Sequence, residues 1–208
     1  FRSEAFGSAE EKPWSEFAPR FEAHVIAQFP FKMASKNLPF ERVIRYAFGA
    51  KAAAAVRREH LETFLRRFGP LSECVPKAAA SLFDLTNGCL RPWFHGELPR
   101  KGAEELLRGA GAGTYLFRFS DTRPSNFSLS YVVRATTLRN SLLYNSGRDG
   151  FKLDATRPSR TDGGGGGGIG GEESWSTLAS FVESHAKCLR HPVVSELYRQ
   201  CEREIEVA

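Results

Sequence analysis

The hydrophobic period changes near Gly88, and that change constrains the architecture of this 208-residue chain more than any other feature. Before it, apolar residues recur at three- and four-residue steps, which is one face of an α-helix. Trp14, Phe17, Phe21, Val25 and Ile26 form one stripe, and Phe40, Val43, Ile44, Ala47 and Phe48 form a second that Gly49 stops. Residues 52–56 lead into a third stripe, Leu61, Phe64, Leu65 and Phe68, which Gly69-Pro70 ends. A fourth helix is expected over 73–83, and residues 1–12 read as a frayed lead-in. After Gly88 come an aromatic turn, Pro92-Trp93-Phe94-His95-Gly96, and a short amphipathic helix over 99–108 with Ala103, Leu106 and Leu107 inward. Residues 114–120 and 127–133 then alternate as strands, joined by a hairpin loop at 121–126. Residues 138–144 and 150–153 are further strand candidates. A helix capped by Ser174 carries Trp175, Leu178, Phe181 and Val182 and ends at His191-Pro192, with a short trailing helix over 195–207. The expected class is α+β: an all-helical N-terminal unit followed by a sheet-bearing domain.

Composition narrows what such a chain can do. Seventeen phenylalanines and 41% hydrophobic residues supply a core for one large domain or two small ones. Six consecutive glycines at 163–168, followed by Gly170 and Gly171, can build no core and predict a flexible loop. They lack the G-K-[ST] ending of a phosphate-cradling loop, so no nucleotide site is expected there. A net charge of +5 suits an anionic partner, whether nucleic acid, an anionic membrane or a phosphorylated protein, and equally suits a solvated surface. Cys74, Cys89, Cys188 and Cys201 form no metal-ligand spacing and read as free thiols of a reducing compartment. No apolar run reaches the roughly 20 residues of a membrane span, and no signal peptide is visible. The chain begins with Phe1, which marks it as a segment of something longer, and the cytoplasm or nucleus is the expected location.

Arg118 is the residue that demands an explanation. In its strand, Leu116, Arg118 and Ser120 share one face, and Tyr115, Phe117 and Phe119 the other. An inward arginine needs an anion, because burying its charge alone is costly. One reading supplies a carboxylate from a neighbouring strand; the other supplies an anion from outside. The neighbourhood favours the second. Ser120 and Thr122 bring hydroxyls, Arg123 and Arg100 bring two more cations, and the loop at 121–123 offers successive backbone N–H groups for an anion-binding nest. A guanidinium can hold two phosphate oxygens at once.

The ordered run W-F-H-G-x-x-x-R-x-x-A-E-x-L-L, G-T-Y-L-F-R-F-S, F-S-L-S-Y-V and S-W-S-T-L-A-S-F-V-E-S-H resembles a Src-homology-2 (SH2) domain over about residues 92–194. The resemblance implies a central antiparallel sheet flanked by two helices and a tyrosine-phosphorylated protein or peptide as partner. It implies that Arg118 grips the phosphate bidentately, that Arg100 contacts both phosphate and ring, and that Ser120 and Thr122 supply the phosphate-loop hydroxyls. Where the family often has histidine, in an H-Y-[KR]-I stretch, this chain has Asn140-Ser141-Leu142-Leu143. Asn140 can hydrogen-bond there but brings no charge, and Arg139 would face the other way.

The division this implies is a helical linker over 1–90, the SH2 domain over 91–194 and an extension over 195–208. The helical part, with its F-L-R-R-F-G-P-L stretch, is similar to the linker of STAT transcription factors and to the Cbl-type unit of helices, EF-hand and SH2 domain. It lacks the calcium-loop pattern, so any EF-hand-like shape would be metal-free. Its expected role is to pack on the domain and set its orientation; an independent helical domain is the alternative. No cofactor is expected. His24, His60, His95, His185 and His191 sit in no catalytic motif, and His95 reads as a packed residue, so no enzyme is expected in this segment. Nucleic-acid binding has only the exposed pairs Arg57-Arg58 and Arg66-Arg67 in its favour, with no groove-reading motif. Two alternatives to phosphotyrosine capture stay open: an SH2-like scaffold with an empty pocket, and part of a STAT-like DNA-binding transcription factor.

Overall fold

Four-residue spacing of large apolar side chains builds the first helix. In α1 (Trp14–Gln28), Phe17, Phe21 and Val25 are fully buried on one line. Ile26, expected on the same stripe, is 48% exposed, because one residue beyond Val25 turns it about 100° off that line. Helices α2 (Phe40–Phe48), α3 (Arg58–Phe68) and α4 (Cys74–Leu82) follow. A computed structural model describes residues 6, 9–29, 38–49, 54–134, 137–154, 169 and 173–206. The chain divides into two units, Phe1–Cys89 and Leu90–Ala208.

The core of the first unit is aromatic. Phe48 stacks on Phe64 with centroids 4.6 Å apart, and Phe17 and Phe21 pack around them at 5.5–6.0 Å. Gly49 and Gly69 end α2 and α3 with φ of +88° and +102°, a left-handed backbone that side chains resist. Three expectations change here. The described part of the lead-in is built into the unit: Phe6 is buried against Phe17, and Glu11–Pro13 form strand β1. Ala55 and Val56 do not extend a helix, since Ala55–Arg57 form strand β2, antiparallel to β1 with Lys12 opposite Val56. Strands of three residues carry no readable alternation, so only the long-range pairing reveals them. Arg67 is not a solvated cation; it is buried and donates from Nη1 to Ala47 O at 3.0 Å.

The second unit is a six-stranded sheet between helices. Its strands are β3 (Thr114–Phe119), β4 (Phe127–Arg134), β5 (Thr137–Asn145), β6 (Phe151–Leu153), β7 (Ser174–Trp175) and β8 (His191–Pro192), in the order β7-β6-β5-β4-β3-β8. All neighbours are antiparallel except β8, which runs parallel to β3. Helix α5 (Arg100–Leu106) covers one face, where Ala103 and Leu107 meet Leu116 and Val132. Leu106, expected inward with them, is exposed; it lies off the line joining residues 103 and 107. Helix α6 (Leu178–Ser184) covers the other face, with Phe181 5.9 Å from Phe117 and 4.7 Å from Trp175. Helix α7 (Glu196–Glu206) buries Cys201. The aromatic turn lies along the far side of β3, with Phe117 N donating to Trp93 O at 2.7 Å and Phe119 N to Gly96 O at 2.6 Å. Strand β3 is thus hydrogen-bonded on both sides.

The cap expected at Ser174 belongs three residues later. Ser174 and Trp175 pair with Lys152 and Phe151, and Thr177 Oγ1 accepts from Ser180 N at 3.0 Å to start α6. Replacing Thr177 by alanine should therefore cost about 1 kcal/mol in denaturant titration, whereas Ser176→Ala should change little. The glycine run at 163–168 lies outside the described residues. Among the described residues, no helix is long and apolar enough to cross a membrane.

Candidate functional site

Register places the site. Arg118 stands opposite Ser128, and Ser128 opposite Leu142, in a row across β3, β4 and β5 on the face that α5 covers. One row along, Ser130 faces Asn140. Helix α5 shields Leu116 and Val132, and an open cavity of about 120 Å³ lies above Arg118, beside the first turn of the helix. Arg100, Arg118, Ser120, Asp121, Thr122, Ser128, Asn140, Ser141, Leu142 and Asp154 line it.

Arg118 is 3% exposed. Its Nη1 donates to Asp121 Oδ1 at 2.6 Å, to Phe119 O at 3.2 Å and, at the limit of a hydrogen bond, to Leu98 O at 3.5 Å. Nε is buried with no partner. The guanidinium is therefore held by one nitrogen while its Nε edge is unsatisfied, a costly state for a buried donor unless a ligand completes it. Burial pushes the group below the ordinary arginine value, and the neighbouring Asp121 pulls it back up. Arginine keeps its charge throughout.

The other expected residues divide into two sets. Ser120, Thr122, Arg100 and Asn140 line the cavity with Arg118. Ser120 is buried, and its Oγ accepts from Arg123 N at 3.2 Å; Ser120 N donates to Asn126 O at 3.0 Å, which closes the loop after β3. Arg100 lies at the mouth, with Nε donating to Glu104 Oε1 at 2.7 Å. Asn140 Oδ1 accepts from Ser130 Oγ at 2.5 Å. Arg123 is the exception: it does not line the cavity, because its Nη1 donates to Asp154 Oδ2 at 2.5 Å. Arg139 pairs in register with Tyr131 and so lies on the opposite face, which leaves the histidine position to Asn140.

Sequence reasoning passed over four residues. Ser128 is buried at the cavity floor directly across from Arg118, and the alternation Ser128-Leu129-Ser130 could have placed it there. Leu142 supplies an apolar wall on the same row. Asp121 was visible only as a turn residue, yet its carboxylate holds Arg118 through Oδ1 and caps α5 by accepting from Arg100 N at 2.9 Å through Oδ2. Asp154 lies 31 residues from its partner Arg123, and no local pattern announces it. His95 is packed as expected: Nε2 donates to Val193 O at 2.9 Å, and burial lowers its proton affinity.

The site is thus a buried strand arginine under an open cavity, in a sheet between two helices. Residues 93–185, within the second unit, match the family model of the SH2 domain. SH2 domains bind tyrosine-phosphorylated peptides and are binding modules rather than catalysts. Relatives agree. The Dictyostelium discoideum dual specificity protein kinase shkC is 31% identical over 100 residues, 48% of this chain and 19% of the kinase. Human Ras GTPase-activating protein 1 is 56% identical over 49 residues, 23% of this chain and 5% of that protein. Human SH2 domain-containing adapter protein D is 52% identical over 40 residues, 19% of this chain and 12% of that protein. The chain thus spans less than a fifth of the length of these three relatives. Among solved structures, an inactive choanoflagellate E3 ubiquitin ligase Cbl TKB aligns over 99% of this chain and 51% of its own, with a TM-score of 0.49 and 17% identity.

Proposed function

We propose that this chain is a phosphotyrosine-peptide-binding signalling module in which Arg118 is the phosphate anchor. One observation carries the reading: a guanidinium buried in the strand lies beneath an open cavity. The Arg100 guanidinium at the mouth, the hydroxyls of Ser120, Thr122 and Ser128, and the amide of Asn140 complete a polar shell around a dianion. Leu142 and Asn140 flank the aromatic stem, with no cation from β5 on the ring. Arg123 acts at the rim, where Asp154 holds it. Residues 1–90 serve as a helical linker, 91–194 as the binding domain and 195–208 as an extension, within a longer cytoplasmic or nuclear protein.

A second reading has its own observation. Arg118 already holds a carboxylate, Asp121, which suits a scaffold domain with little affinity for phosphotyrosine. Calorimetric titration separates the two. A phosphotyrosine peptide should bind at least tenfold more tightly than its tyrosine and phosphoserine counterparts, since only the aromatic stem reaches Arg118. Equal binding of the three would favour the scaffold.

A further inference from the structure

Each of the three cations that sequence reading assigned to this site is matched to a carboxylate of its own domain. Arg118 holds Asp121, Arg100 holds Glu104, and Arg123 holds Asp154. Three guanidinium groups and three carboxylates leave the unliganded site without net charge. A phosphate dianion entering it meets cations that are already compensated, and two of the carboxylates, Asp121 and Asp154, line the cavity itself.

These two carboxylates differ in what leaving would cost. The Asp154 side chain is 8% exposed, so releasing Arg123 would take a bond from a buried carboxylate. The Asp121 side chain is 44% exposed, so water can replace its bonds to Arg118 and Arg100 N when it turns away. Its partner has no such choice, because the Arg118 side chain is 4% exposed and fixed to a strand hydrogen-bonded on both sides. Asp121 Oδ1 occupies Nη1 of the same guanidinium whose Nε edge is unsatisfied.

Building on the reading of Arg118 as phosphate anchor, we propose that Asp121 is an internal competitor for the phosphate: its carboxylate occupies the guanidinium in the empty pocket and must swing out before a phosphoryl group is fully seated. The device sets affinity rather than enabling it. The carboxylate neutralises the buried arginine when no ligand is present, and it opposes any dianion brought beside it. Asp154 has the complementary role of keeping Arg123 at the rim, so the phosphate draws on Arg118 and Arg100.

Phenyl phosphate tests this, since it fills the pocket without flanking peptide contacts. Asp121→Asn and Asp121→Ser both remove the charge and keep an oxygen that can accept from Arg100 N, so the cap on α5 survives. Each variant, checked for folding by thermal denaturation, should bind phenyl phosphate about tenfold more tightly than the wild type. Arg118→Ala should bind none. Unchanged or weaker binding by both Asp121 variants, with Arg118→Ala still inactive, would overturn the competitor and leave the anchor standing; it would make Asp121 a positioning residue for Arg118. If the wild type and every variant fail to bind both phenyl phosphate and phosphotyrosine peptides, the anchor reading falls and the competitor falls with it. Should one Asp121 variant fail to fold, the other decides.

Discussion

Arg118→Ala is expected to lower affinity for a phosphotyrosine peptide by at least about tenfold, and by more if two donors of the guanidinium engage phosphate oxygens. Each charge-assisted hydrogen bond lost costs about 1.5–3 kcal/mol, and about 1.4 kcal/mol is tenfold. The fold should survive. The cavity above Arg118 opens to solvent, so water can fill the vacated volume, and Asp121 is exposed enough to be hydrated once its partner is gone. Arg118→Lys should fail almost as badly, because one ammonium cannot present two parallel donors. Titration of both variants, with circular dichroism to verify folding, checks the expectation. Wild-type affinity in either variant would remove Arg118 from the site.

The largest expected effect on stability lies in the first unit. Phe64 is fully buried and touches Phe21, Phe48 and Phe68 at centroid distances of 6.0, 4.6 and 5.4 Å. Phe64→Ala removes a ring from the middle of this stack and leaves a cavity that rigid aromatic neighbours cannot close, at a cost of about 3–5 kcal/mol. That is a large fraction of the roughly 5–15 kcal/mol that holds a typical domain folded. Ile26→Ala, on the same unit but 48% exposed, should stay within about 0.5 kcal/mol of the wild type. Denaturant midpoints of the two variants provide the comparison, and equal shifts would contradict the packing described.

Much of the fold could be read before any coordinates. The helices around Phe17, Phe48 and Phe64 and the strands around Arg118 and Leu129 announced themselves because each buries a face, and burial imposes a period of about 3.6 or 2. Elements too short to repeat a period left no such mark. Strands β1, β2 and β7 have two or three residues each, and their partners are dozens of positions away. Errors of orientation, at Ile26, Leu106 and Arg67, arose where a residue lies at the margin of a stripe and only packing decides which way it turns.

The site was legible to the same depth. Arg118, Ser120, Thr122, Arg100 and Asn140 come together around one cavity because alternation and one loop put them there. Its carboxylates were not legible. Asp121 reads as an ordinary turn residue, and nothing in a turn says that its side chain will reach three residues back into the sheet. Asp154 meets Arg123 only because β5 and β6 fold back to the mouth of the pocket. Cations in a strand are conspicuous because they break an apolar rhythm, whereas acids in loops break none.

The ladders on both sides of β3 bear on the thermodynamics of association. With its backbone fixed before any ligand arrives, the arginine surrenders little further freedom on capture. The entropic burden of docking then falls on the incoming peptide and on the short loop after the strand. Partners whose phosphorylated segment is already extended would gain most from such a receptor.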